Sequence, residues 1–87
     1  MYVIIVYDIN VYRINTIRKF LKRFVNWVQN SVFEGEITES QLIRIKAFIN
    51  KHTDPEYDFI KIYSMDSDKY LDSYIIGKPK KEFSNII

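Results

Sequence analysis

The sequence predicts an α+β fold in which the elements run strand, helix, one or two strands, helix, strand, and a further C-terminal strand. Three observations predict it. The chain opens on an unbroken β-branched and aromatic run, Tyr2-Val3-Ile4-Ile5-Val6-Tyr7. Two stretches with apolar residues at helical spacing follow, one near 13–25 and one starting at Thr38. Short apolar segments with strand character lie between and after them.

The opening run has no polar alternation, so it reads as a central strand buried on both faces, ended by Asp8. Ile9-Asn10-Val11-Tyr12 is a short connection. A helix is expected from about Arg13 to Val25, with Ile14, Ile17, Leu21, Phe24 and Val25 on one arc. Arg18, Lys19, Lys22 and Arg23 fall on the opposite arc as a basic stripe. The stretch from Trp27 to Ile37 is extended, but Gln29-Asn30-Ser31 interrupts its alternation. Two short strands with a tight reversal, or one strand with a bulge, fit equally.

Thr38-Glu39-Ser40-Gln41 is a capping box that opens the second helix, whose buried stripe is Leu42, Ile45, Phe48 and Ile49. Asn50 to Asp54 ends that helix, with Pro55 beyond. Tyr57 to Met65 is a further strand, Asp66-Ser67-Asp68 a turn, and Tyr70 to Ile76 a last strand closed by Gly77-Lys78-Pro79. This order is the ferredoxin-like βαββαβ plan with one strand added. The added strand is expected to find its own sheet's edges occupied, and so to pair with the sheet of a dimer partner. Residues 1–78 form the domain in this reading, and 79–87 a tail.

Composition narrows the chemistry. A hydrophobic content of 47% and an aromatic content of 16% argue against disorder. A domain of 87 residues buries a modest core, so a second copy would add stability. There is no cysteine and only one histidine, His52. Any metal therefore needs oxygen ligands, which favours Mg²⁺, or Mn²⁺, over zinc. No stretch reads as a secretory signal or approaches the roughly 20 apolar residues of a membrane span. No membrane association is expected, and the cytoplasm is the expected location. A net charge of +2 does not by itself demand a polyanionic partner, so the distribution of charge carries more weight.

Asp8 is the sharpest candidate for a catalytic and metal-binding residue, because it ends a buried strand just before a helix. The plain alternative is that Asp8 or Asn10 caps that helix. One carboxylate is too little for a metal site, but a residue near a twofold axis occurs twice. Two Asp8 carboxylates facing each other could hold one hydrated Mg²⁺. Arg13, Arg18, Lys19, Lys22 and Arg23 form the nucleic-acid-binding set, with no acid among them. The alternative is an ordinary solvated helix face. Lys78, Lys80 and Lys81 extend the same footprint. Tyr7, Asn10, Ser31 and Phe33 are the supporting residues; Phe33 is a candidate for base stacking, although core packing is the commoner fate. Tyr2, Tyr7 and Trp27 read as core or interface. Glu34 and Glu36 read as solvent-facing, and His52 receives no catalytic role. No Walker loop, GxGxxG or nucleophile–histidine pattern is present.

Taken together, Met1 to Ile9, the helix from Arg13 to Phe24, and above all Ser31-Val32-Phe33-Glu34-Gly35-Glu36-Ile37-Thr38 resemble the CRISPR-associated protein 2 family. Ile60-Lys61-Ile62-Tyr63 and Tyr74-Ile75-Ile76-Gly77 fit as well, and the likeness fades after about Lys78. The resemblance implies a ferredoxin-like homodimer in which the C-terminal strand crosses to the partner. It implies a metal-dependent endonuclease cutting single-stranded RNA or double-stranded DNA, with Asp8 as the magnesium ligand. Arg13, Arg18 and Phe33 match positions of the family's motifs. It further implies a role in spacer acquisition, where the dimer bridges two dimers of the CRISPR integrase along the incoming DNA. The resemblance departs at Asn10-Val11-Tyr12, where many members of the family carry acidic and basic residues, so this chain lacks one candidate for a second carboxylate near Asp8.

Two other functions compete with a nuclease. One is a non-catalytic DNA-binding scaffold that bridges integrase dimers. The other is a toxin-like ribonuclease of the virulence-associated protein D type, which shares this fold. A plain RNA-recognition module lacks support, because its aromatic RNA-binding motif is absent.

Overall fold

A five-stranded antiparallel sheet carries both helices on one face. The structure, a computed structural model, describes residues 1–66 and 71–78. The elements are β1 (Tyr2–Asp8), α1 (Val11–Leu21), β2 (Asn26–Gln29), β3 (Val32–Glu36), α2 (Glu39–His52), β4 (Phe59–Met65) and β5 (Leu71–Gly77). This is the expected βαββαβ order with an added strand. The expected tail at 79–87 lies outside the described residues, as do Ser67-Asp68 of the expected turn, Tyr70, and the basic residues Lys80 and Lys81.

β1 is central in the strand order β2-β3-β1-β4-β5 and pairs on one side with β3 (Ile5 opposite Phe33) and on the other with β4 (Ile5 opposite Ile62). Its side chains alternate in direction, as in any strand. Val3, Ile5 and Tyr7 join Ile14, Ile17, Leu21, Leu42, Ile45 and Ile49 in the core under the helices. Ile4 and Val6 lie on the helix-free face with Phe59 and Tyr63. Both faces of β1 are apolar for this reason, which is why the run shows no polar alternation.

α1 starts two residues earlier than expected, because Asn10 caps it by accepting the Tyr12 N–H at 2.9 Å. It also stops early. Lys22 closes it, and Val25 packs instead beside Gly35, where an added Cβ would sit 3.3 Å from a Val25 methyl carbon. The capping box of α2 is present: the Thr38 hydroxyl accepts the Gln41 N–H, and the Gln41 side chain accepts the Thr38 N–H. The two helices meet through Phe20 and Phe48, stacked with ring centres 3.8 Å apart.

Of the two readings of residues 27–37, the two-strand one holds and a single bulged strand does not form. β2 and β3 are separate strands that reverse at Asn30-Ser31, and the ladder also bulges between Trp27 and Gln29. Asn30 has φ of 34°, the left-handed conformation that asparagine tolerates better than most residues.

The expected exclusion of the last strand from its own sheet is corrected. β5 pairs with β4 of the same chain, from Met65 opposite Leu71 to Phe59 opposite Gly77. The reason is that β4 has β1 on one side only, so its outer row of backbone donors and acceptors is available to a strand returning antiparallel. Gly77 ends β5 with φ of 85°, and a Cβ there would overlap the Asp58 carbonyl oxygen. Gly77→Ala is therefore expected to destabilise the domain by at least about 2 kcal/mol, from left-handed strain and displaced backbone. The thermal midpoint should fall by roughly 8–16 °C; an unchanged Tm would mean that the end of β5 is not seated on β4.

Candidate nucleic-acid interface and the Asp8 position

The sequence names Asp8 as a candidate metal ligand and, separately, Arg13, Arg18, Lys19, Lys22 and Arg23 as a phosphate-binding set. Strand geometry separates them. Tyr7 turns to the helix side, where it is buried, so Asp8, the next residue, turns to the helix-free face. There it is half-buried, at the end of the row Ile4, Val6, Asp8, and its Cα pairs with that of Phe59. Among the described residues no group of three or more histidine or acidic side chains could hold a metal ion. The described residues of one chain assemble no metal site at Asp8; among them, the carboxylate needs further oxygens from another copy or the substrate to hold an ion.

Arg13 stands apart from the stripe. Its Nε donates to Asp58 Oδ2 at 2.6 Å and its Nη2 to Asp58 Oδ1 at 3.0 Å. Asp58 is fully buried, and it also accepts the N–H of Asn10 and the N–H of Asp54, each at 2.8 Å. Burial alone would push the Asp58 carboxyl up. The Arg13 hydrogen bond, then the two backbone N–H groups, then the Arg13 charge overcome that and hold it below the ordinary carboxylate value. Arg13 is correspondingly held protonated above the usual guanidinium value, chiefly by the hydrogen bond to Asp58. The expected role of Arg13 on a phosphate gives way to a structural ion pair, and Asn10 is a cap and a backbone donor to that pair.

Phe33 is likewise corrected. It is fully buried between Tyr7 and Trp27, so no base can stack on it without opening the core. Ser31 contributes through its backbone, whose carbonyl accepts the Tyr7 N–H at 3.1 Å. Tyr7 does more. Its hydroxyl donates to the Asn30 carbonyl at 3.0 Å and accepts from Arg18 Nε at 3.2 Å.

The other four basic residues form two pairs one helical turn apart. Arg18 and Lys22 lean toward β2, with Arg18 Cζ 4.8 Å and Lys22 Nζ 5.0 Å from the centre of the Trp27 ring. Lys19 and Arg23 lie toward α2, and Arg23 reaches over Phe20 and Phe24. Lys19, Lys22 and Arg23 are exposed. A run of cations with no acid between them in the chain presents a sequence-blind phosphate surface. Lys78 is exposed just past β5, on the edge opposite β2.

Two residues escaped the sequence reading. Asp58 gave no signal beyond its place before a strand, since its partner lies 45 positions away. Trp27 read as core or interface, yet it is 45% exposed. Its only hint was a lone tryptophan in a polar stretch.

The family model for CRISPR associated protein Cas2 matches residues 1–72. The chain belongs to the Cas2 family. It is 47% identical to a CRISPR-associated endoribonuclease Cas2 of Methanosarcina acetivorans, over the whole of both chains. A protein of the same description from Thermococcus kodakarensis is 42% identical, again over the whole of both. The crystal structure of Streptococcus pyogenes Cas2 at pH 6.5 superposes with a TM-score of 0.70 at 28% identity, over 78% of this chain and 89% of that one. A second Cas2 crystal structure gives 0.61 at 36% identity, over 93% and 80%. The Cas2 relationship bears out the family resemblance and the fold. No helix among the described residues of this Cas2 chain is long and apolar enough to cross a membrane.

Asp58→Ala is expected to cost about 3 kcal/mol near neutral pH, the low end for breaking a buried pair, because Arg13 can reach water. The folded-state pKa of Asp58 is depressed, so its contribution is complete above the unfolded value of about 3.9 and is lost as pH falls through the folded value. In urea unfolding, the stability gap between wild type and Asp58→Asn should therefore hold constant down to about pH 4 and narrow as pH falls further; a gap that stays constant well below about pH 4 would contradict the ion pair.

Proposed function

We propose that this chain is a metal-dependent nuclease that hydrolyses phosphodiester bonds of nucleic acid as a homodimer and takes part in CRISPR spacer acquisition beside the integrase. RNA is the first substrate to test, since the relatives carry the name endoribonuclease. The observation that carries the reading is the setting of Asp8. It lies on the helix-free face with Val6, Phe59, Ile4 and Tyr63; the exposed Ile75 of β5 and Met65 of β4 share that face, and Lys61 and Glu34 are the charges among them. A second copy covering that face would bury apolar area and bring two Asp8 carboxylates toward one axis.

Two such carboxylates suit a hydrated Mg²⁺ or Mn²⁺ ion. A bound divalent ion supplies polarisation of the phosphodiester and a water of lowered pKa. The chain's own part is to hold each Asp8 at the end of a strand that is paired on its β4 side through Phe59, and so fixed against the sheet. Arg18, Lys19, Lys22 and Arg23 would bind the phosphate backbone without reading sequence.

A second reading has a specific observation in its favour. The stripe and Asp8 lie on opposite sides of the sheet, and the described residues of one chain gather no acidic cluster around Asp8. A non-catalytic scaffold that binds DNA through the stripe and bridges integrase dimers needs nothing from Asp8.

Cleavage of labelled single-stranded RNA and duplex DNA, with and without Mg²⁺, tests the nuclease. Asp8→Asn is expected to lower the metal-dependent rate at least about 100-fold while the dimer, measured by light scattering, stays intact. Equal rates in both proteins would leave the scaffold. Binding tests the stripe separately. Arg18→Ala and Lys22→Ala are each expected to weaken nucleic-acid binding and to reduce the slope of log K against log salt by about 0.9 on duplex or about 0.7 on single strands; unchanged slopes would remove the stripe from the interface.

A further inference from the structure

The groove between α1 and β2 is lined by Asn15, Arg18, Lys19, Lys22 and Trp27. We infer that it is a binding site for one unpaired nucleotide of a single strand, whose base stacks on Trp27 while its phosphates are held by Arg18 and Lys22. The inference rests on the reading of the basic stripe as a phosphate surface and adds a base-binding element to it.

Three features carry it. First, Trp27 is on the edge strand β2, whose four residues are all exposed, so the indole borders solvent although it packs parallel to the buried Phe33. A large apolar ring left open at an edge, beside two cations, is the combination that binds single strands. Second, the ring is preset. Its Nε1–H donates to the Asn30 carbonyl at 2.9 Å, and the same carbonyl accepts the Tyr7 hydroxyl that holds Arg18. With its donor already engaged, the indole offers a π face and no hydrogen-bond reading, which makes the site tolerant of base identity. Third, the two cations that rest near the ring have a better partner in a phosphate. An exposed cation–π contact is weaker than a charge-assisted hydrogen bond to a phosphate oxygen. A phosphate would draw Arg18 and Lys22 outward and leave the ring face to the base. The exposed Asn15 amide stands at the same groove as a donor and acceptor for the base edge.

A duplex satisfies only half of this arrangement. Its phosphates can meet the cations, but its bases are stacked on one another and do not reach the indole. The site therefore separates single strands, frayed ends and overhangs from blunt duplex.

Trp27 is the chain's only tryptophan, so its fluorescence reports on this groove alone. The full-length protein is titrated with a short labelled oligouridylate and with a blunt duplex of equal length. Label anisotropy reports binding, and emission excited where tyrosine does not absorb reports stacking. The expected result is that both ligands bind and only the single strand quenches Trp27. Single-strand binding with unchanged emission, or equal quenching by the duplex, overturns the inference while the phosphate stripe stands. Absence of binding by either ligand overturns both. Trp27→Leu is expected to weaken single-strand binding about tenfold, with duplex affinity and the salt slope unchanged, and Trp27→Phe to recover most of the loss. A merely structural tryptophan would move both ligands together. Because the quenching is read on the wild-type protein, poor folding of the Trp27→Leu variant would not remove the test.

Discussion

The arrangement depends on one buried carboxylate. Asp58 accepts four hydrogen bonds from three places: the Asn10 N–H at the entry to α1, the Arg13 guanidinium in the first turn of α1, and the Asp54 N–H in the loop after α2. Those are all the lone-pair directions a carboxylate has. A buried charge with any of them empty would be costly; with all of them filled it becomes a joint. The joint ties the chain leaving β1 to the chain entering β4. Phe59, the next residue, pairs with Asp8, and the Asp58 carbonyl lies against Gly77. The start of α1 is thus fixed by the Asp58 side chain, while the candidate metal ligand and the last residue of β5 meet the backbone of Asp58 and Phe59 beside it.

A second constraint is the alternation of β1. Tyr7 and Asp8 are neighbours in sequence and lie on opposite faces of the sheet. Tyr7 supports the cationic side through Arg18, while Asp8 belongs to the apolar, helix-free side. In the proposed dimer the two helix-free faces meet, and the basic helices of the two copies are left on the outside. A nucleic acid lying along those helices would not meet the carboxylates at the same time unless it passed around the strand ends. Binding and hydrolysis would then be separable properties, and a chain of this design could keep one without the other.

Much of this was legible in the sequence because it is periodic. The apolar run of β1, the stripe of α2 and its Thr38–Gln41 box are local patterns, and local patterns fix local structure. Helix α1 shows the limit. Phe24 and Val25 continue its apolar spacing, yet the helix ends at Leu21 because Val25 is better buried beside Gly35, a contact between distant positions. The same limit hid the roles of Arg13 and Asp58. Arg13 looks like any member of a basic set until the fold brings a carboxylate to it. For β5 the error was topological: a sequence reveals strands but not which sheet edge is open. Phe33 was misassigned in the other direction, a core residue in a motif-like segment. The position of Asp8 at a strand end was legible, but the further oxygens an ion needs were not, because the described residues of one chain form no acidic cluster there.

The basic surface owes its geometry less to α1 than to the β2–β3 reversal. A long cationic side chain on a helix samples many rotamers, and ordering it costs entropy that binding must offset. Here Arg18 is held at Nε by the Tyr7 hydroxyl, and its guanidinium rests over the Trp27 ring until a phosphate draws it away. Both of those aromatic groups are in turn fixed by the carbonyl of Asn30. That carbonyl accepts both donors at a residue in the left-handed region, where the chain reverses from β2 to β3. A two-residue turn with no charge of its own therefore sets where a guanidinium points. The general physical lesson is that preorganisation of a charged surface can be stored in backbone conformation at a hairpin, one step removed from the helix that carries the charges.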